Sequence, residues 1–123
     1  MYQVRADIEK NRLYVTIGSV TEENEMMTAI QEIELVVQNL RKGFDCITDL
    51  REYEILNDED EKFVYQAQKI LVDAGMSRVV RVIKKFGSLG HFQFDKLSKE
   101  VGYHAKSVNS IAEAENLLDG NTF

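Results

Sequence analysis

The side chains that could do chemistry in this chain are mostly carboxylates, and they gather in one stretch. Asp49 stands near the end of the apolar run Cys46-Ile47-Thr48-Asp49-Leu50, and the acidic run Asn57-Asp58-Glu59-Asp60-Glu61 follows it. Open α/β sheets collect their ligands at the carboxyl ends of strands, which is where Asp49 falls. As a phosphate acceptor it would need further carboxylates to hold a divalent cation, and the ends of the earlier strands supply none. Asp49 is therefore expected to organise its loop. The acidic run lacks the alternating ligands and central glycine of a calcium loop, and successive carboxylates on a helix point about 100° apart. It suits the start of a helix instead. Asn57 or Asp58 can cap it, Asp58 and Glu61 have capping-box spacing, and Asp60 and Glu61 favour the positive end of the helix dipole.

Other chemistries find no foothold. His91 and His104 are far apart and lack any Cys-His or Glu-His metal spacing. Gly87-Ser88-Leu89-Gly90 is a turn, not a phosphate loop, and no serine sits in a G-x-S-x-G elbow. Cys46 is the one cysteine and lies in an apolar strand, as a small buried hydrophobe would. These patterns predict no catalytic residue, no metal site and no cofactor. The net charge of −6 argues against general nucleic-acid binding. Residues 76–106, with 7 Lys/Arg against 2 Asp/Glu, run against that charge and form either a solvated face or a docking face for an acidic partner. No apolar run approaches the ~18 residues of a membrane span. The amino terminus has no basic-then-apolar secretory pattern, so a cytoplasmic protein is expected.

The elements that must position the acidic stretch follow from periodicity. The 123 residues suit one domain, 1–123, with a 44% apolar content able to build a core. Val4, Ala6 and Ile8, then Leu13, Val15 and Ile17, alternate with polar residues on either side of Glu9-Lys10-Asn11, which predicts a β-hairpin. Thr21 caps a helix with Met27, Ile30, Ile33, Val37 and Leu40 on its buried face, running five or six turns to a stop at Gly43. A strand over 44–50 and a second helix with Phe63, Ala67, Ile70, Leu71 and Ala74 inward follow, ending at Gly75. Val79 to Ile83 is apolar enough for a strand covered on both faces. A third helix over about 91–101 stops at Gly102, residues 103–108 form an edge strand, and Ser110 with Glu113 opens a last helix that stops at Gly120. The order β-β-α-β-α-β-α-β-α predicts an α/β fold: a mixed sheet with a hairpin start, βαβ units and helices packed on the sheet.

With this order in place, the chain resembles the STAS domain, the fold of bacterial anti-sigma-factor antagonists, and within it the SpoIIAA-like group. The resemblance rests on the hairpin start, on Ile47 to Asp60, on Ala67 to Met76 and on the strand Arg78 to Ile83. The family shows a strand ending in Asp-Leu and then Asp-Ser-Ser-Gly opening a helix. Asp49-Leu50 matches the first part, and Asn57-Asp58-Glu59-Asp60 stands in place of the second. What the resemblance implies is a non-catalytic regulatory module that binds a protein partner, with Asp49, Asn57, Asp58, Glu59 and Asp60 at the contact. The antagonists' serine phosphoswitch is missing, since Asp58 and Glu59 occupy its place. The alternative it implies is a small apolar-ligand or lipid-binding domain, through a relation to CRAL-TRIO domains.

Overall fold

The computed structural model describes residues 2–18, 23–53, 60–84, 89–103 and 105–120, without the side chains of residues 23, 60 and 89–93. The first alternating runs pair as a hairpin of β1 (Tyr2–Asp7) and β2 (Arg12–Ile17), antiparallel from Tyr2 opposite Ile17 to Asp7 opposite Arg12. Asn11 takes a left-handed φ of 54° in the connecting turn, a conformation that asparagine tolerates better than most residues. The chain then alternates: α1 (Glu23–Val37), β3 (Asp45–Asp49), α2 (Asp60–Asp73), β4 (Val79–Val82), α3 (Leu89–Val101), β5 (Ala105–Val108) and α4 (Ile111–Asp119). The five strands form one sheet in sequence order, β2 to β5 parallel. This is the expected α/β architecture with a hairpin start and βαβ units, and the strand expected over 103–108 is present as β5.

Strand order decides where the helices go. Each right-handed crossover steps one strand in the same direction, so α1, α2 and α3 fall on one face of the sheet. Their core joins Leu13, Val15 and Cys46 of the strands to Met26, Ile30, Ile33, Val64, Leu71 and Leu97 of the helices. The last helix, α4, turns to the opposite face and covers Ile47, Val80 and Val82 with Ala114 and Leu118. Covered from both sides, β4 is buried along its whole length.

Two details differ from the periodicity. The buried face of α1 carries Met26, while Met27 is 47% exposed; both lie at helical spacing from Ile30, and only the sheet's position chooses between them. The same helix stops at Val37, short of Gly43. Gly43 has a φ of 89° but belongs to the turn into β3, where its N–H donates to Gly75 O at 2.7 Å. Gly102 and Gly120 end α3 and α4 as expected, and Gly75 ends α2, at φ 98°, with Met76 N–H bonded back to Leu71 O. A Cβ there would also lie 3.2 Å from the Lys42 backbone, so the close approach of the two turns needs glycine twice over.

Arg81 stands in an otherwise apolar strand, and it is the largest fully buried side chain among the described residues. Its guanidinium points under α3, pairing with Asp95, donating to the Tyr103 hydroxyl at 3.3 Å and facing the rings of Phe94 and Tyr103. A buried cation needs such partners to offset its desolvation.

Candidate functional site

Pairing registers the second face of the sheet into three rows. At the carboxyl end of the parallel strands stand Gln3, Thr16, Asp49 and Val82. In the middle stand Arg5, Tyr14, Ile47 and Val80. At the amino end stand Asp7, Arg12 and Asp45. α4 lies over the β3–β5 side of this face, and its Glu115 and Asp119 reach across to β2, where Arg12 and Tyr14 are buried.

Asp49, the predicted site residue that the structure describes in full, closes β3 in the carboxyl-end row. Arg51 clamps it: Nε donates to Oδ1 at 2.9 Å, an Nη to Oδ2 at 2.8 Å, and the Arg51 backbone N–H to Oδ1 at 3.2 Å. Burial alone would raise the carboxyl's pKa; the hydrogen bonds from the Arg51 side chain and backbone, with the guanidinium's charge, hold it below the usual carboxylate range. The carboxylate is thus ionised, neutralised locally and committed to shaping the turn that follows β3. The base of that turn is anchored elsewhere too. Leu50 is buried and its N–H bonds Val82 O at 2.9 Å, and Tyr53 sets its ring edge-on to Phe94 of α3 at 5.4 Å.

Beside Asp49 the hairpin and α4 leave a polar groove of about 170 Å³, lined by Gln3, Arg5, Tyr14, Thr16, Asp49 and Ile111 among others. Arg5 lies over the Tyr14 ring at 3.8 Å, and the Tyr14 hydroxyl donates to Glu115 Oε1 at 2.5 Å. Burial, then the bond to Glu115, raises the tyrosine's pKa, so it stays a donor.

Asp60 begins α2, with its side chain outside the description, and Asn57, Asp58 and Glu59 lie outside the described residues. The next acid, Glu61, faces Lys96 of α3 at 3.8 Å with both side chains exposed. Within the basic block 76–106 both arginines are paired by the fold, and Lys96 makes a surface pair. Arg78 clamps Asp45 at 2.6 and 3.0 Å, Arg81 pairs with Asp95, and Lys96 meets Glu61. The docking face that its charge balance permitted loses its two arginines to the interior of the fold.

Residues that sequence reasoning passed over belong to this face. Both aspartates that bracket β3 are clamped by an arginine through side chain and backbone, Asp45 by Arg78 and Asp49 by Arg51. The Asp-x-Arg spacing at 49–51 could have pointed to the second clamp, whereas the first joins two strands and has no local signal. Cys46 is fully buried beside Thr48, and burial pushes its thiol up to about 11, which leaves it an unreactive core residue. Among the described residues no group of three or more His, Cys, Asp or Glu is placed to hold a metal ion, and no helix is long and apolar enough to cross a membrane. Comparison of the chain with family models, with curated proteins and with solved structures finds no match.

Proposed function

We propose that this chain is a non-catalytic regulatory module that binds a protein partner through the end of β3, the loop after it and the start of α2, with Asp49, Asn57, Asp58, Glu59 and Asp60 at the contact. The observation that carries the reading is the braced base of that loop. Asp49 is held by Arg51, Leu50 is plugged into the core, and Tyr53 rests on Phe94. An anchored root at Asp49 to Tyr53 lowers what binding must order at that end of the contact. An aspartate already neutralised by a bidentate arginine is a brace and a poor nucleophile. The resemblance to anti-sigma-factor antagonists supports the same region, with acids in place of the phosphorylated serine, so that the module has one fixed charge state.

The rival reading, a lipid-sized apolar ligand, is the weaker one. The cavity between the helices and the sheet measures about 40 Å³, against roughly 300–1,000 Å³ for pockets that enclose drug-sized ligands. A larger hollow of about 310 Å³ lies between β5 and α4, but Glu113 and Asn116 share its lining with Val108 and Leu117, and it is a surface depression.

The test is capture of a partner from native lysate, read by mass spectrometry with lipids extracted from the same sample. Glu59→Lys reverses a charge in the acidic run, so it is expected to abolish capture. Asp58→Ala is expected to lower stability by about 0.5–2 kcal/mol through loss of a cap and to leave capture intact if that residue only caps. Capture that survives Glu59→Lys and Asp60→Lys together removes the reason for placing the partner here. A phosphoserine elsewhere that controls capture would show a relocated switch.

A further inference from the structure

The groove beside Asp49 carries polar side chains that the fold itself does not use. It measures about 170 Å³, between the hairpin on one side and Ile111 at the start of α4 on the other. Arg5 of β1 stands over the Tyr14 ring at 3.8 Å. Tyr14 is buried and its hydroxyl is bonded to Glu115, so the ring is a fixed platform. A ring face attracts a guanidinium but takes up none of its fork of in-plane N–H donors. Among the described residues no carboxylate pairs with Arg5. The side chains of Gln3 and Thr16, opposite each other across the hairpin, have no hydrogen-bond partner there either. Asp49 lines the groove on the β3 side, beside Thr16. Its charge is already met by Arg51, so the uncompensated charge of the groove is that of Arg5.

We propose that this groove is a binding site for a small polar carboxylate of the hydroxy-acid class, with its carboxylate on Arg5 and its hydroxyls on Gln3 and Thr16. A carboxylate matches the paired donors of a guanidinium, and such a charge-assisted bond is about twice as strong as a neutral one. The ring beneath Arg5 orders the guanidinium before the ligand arrives, which reduces what binding must immobilise. The Gln3 amide and the Thr16 hydroxyl can each donate and accept, as hydroxyl groups on a ligand do. At about 30 Å³ per water the groove holds roughly five or six waters, and a carboxylate of about seven heavy atoms displaces most of them. Position supports the same reading. Gln3, Thr16 and Asp49 stand in the row at the carboxyl ends of the parallel strands, where open α/β sheets bind their ligands. The site goes beyond the partner-binding reading and does not rest on it, since Gln3, Arg5 and Thr16 lie outside that contact.

The test uses the whole chain, labelled for amide NMR and titrated at constant ionic strength with glycerate, glycerol and propionate. Glycerol lacks the carboxylate, and propionate lacks the hydroxyls. The expected result with glycerate is a saturable shift confined to amides around Gln3, Arg5, Thr16, Asp49 and Ile111. Glycerol is expected to bind about tenfold or more weaker, and propionate about threefold or more weaker. Arg5→Gln is expected to remove the preference for glycerate over glycerol, and Thr16→Val to reduce the preference for glycerate over propionate. Arg5 is exposed and Thr16 half-buried, and amide dispersion checks that each variant folds. The inference is overturned if wild type shows no saturable shift with glycerate, or shifts spread over surface amides in proportion to concentration. It is equally overturned if glycerol or propionate binds as tightly as glycerate, or if either preference survives intact in its variant.

Discussion

The two faces of the sheet are closed by different physics. On one, three helices lay a continuous apolar cluster against β1 to β4, and the buried cation Arg81 is partnered by Asp95, Tyr103 and two ring faces. On the other, α4 alone makes a small apolar contact through Ala114 and Leu118, and charge does much of the rest. Arg12, 3% exposed, meets Glu115 at 3.2 Å and Asp119 at 3.0 Å, and Lys10 reaches the same two acids. Arg78 adds a bond to Leu118 O at 3.3 Å. The last turn of α4 has no basic residue of its own, so the cations that suit the negative end of its dipole come from the hairpin and from the turn before β4. The first face is held by area removed from water, and the second is a seat whose strength depends on pH and salt.

The largest expected effect breaks both faces at once. Val80 is fully buried in β4, an inner strand of the sheet. An aspartate there would be an unpaired carboxylate beneath α4, and Val80→Asp is expected to abolish cooperative thermal unfolding. A melt within a few degrees of wild type would mean that β4 is not covered on this side.

The next pair separates the faces. Leu71→Ala empties part of the three-helix core and Leu118→Ala part of the α4 seat, each at about 2–5 kcal/mol. The difference is expected in hydrogen exchange. Leu71→Ala lowers protection throughout the sheet, whereas Leu118→Ala strips protection first from α4 while β2 and β3 keep theirs. Equal loss everywhere in both variants would show that α4 folds as one unit with the rest.

This contrast also marks what the sequence could and could not say. Strands with one neighbour pattern were legible: Val4, Leu13, Val15 and Ile17 alternate and are buried as read. The continuous apolar run of β4 correctly announced two covered faces. The misses come from partners distant in sequence. Arg12 looks like an outward polar residue beside Leu13, and it is buried because a helix about a hundred residues later returns over it. Arg81 and Gln68 sit at inward positions that local pattern assigns to apolar side chains, and only Asp95, Tyr103 and the Phe94 carbonyl explain them. Of the candidate site, Asp49 was legible as a loop organiser. Its partner Arg51 has no strand pattern to mark it, because it lies beyond the end of β3, in a turn whose path decides whether the two side chains meet.

A smaller effect tests how α4 is started. Ser110 Oγ accepts from Glu113 N at 3.1 Å, and the Glu113 carboxylate reaches back to Asn109 N, one residue further than the capping box expected. Ser110→Ala is expected to cost about 1 kcal/mol in urea unfolding and Ser110→Asp almost nothing. Equal losses would place the start of α4 under the control of packing.

The smallest effect is the electrostatic part of the seat, and its sign can be worked out. Burial alone would raise the Glu115 pKa; the Tyr14 bond and the charges and bonds of Arg12 and Lys10 hold it below its ordinary value of 4.5. The bond from Arg12 chiefly holds Asp119 below 3.8. A carboxylate whose folded pKa is lowered stabilises the fold fully above its unfolded pKa, and that contribution is lost as pH falls through the folded value. Glu115 is one-quarter exposed and partly screened by solvent, so Glu115→Gln is expected to cost only about 0.2–1 kcal/mol at pH 6 and low salt. Below the folded pKa the wild-type side chain is itself neutral, and the two urea curves are expected to converge. Added salt should narrow the gap at pH 6 in the same direction, because these pairs lie at the rim of the seat. A gap that stays constant from pH 6 to pH 3 would mean that Glu115 holds α4 through hydrogen-bond shape and not through charge, and the two faces of the sheet would then differ less than their residues imply.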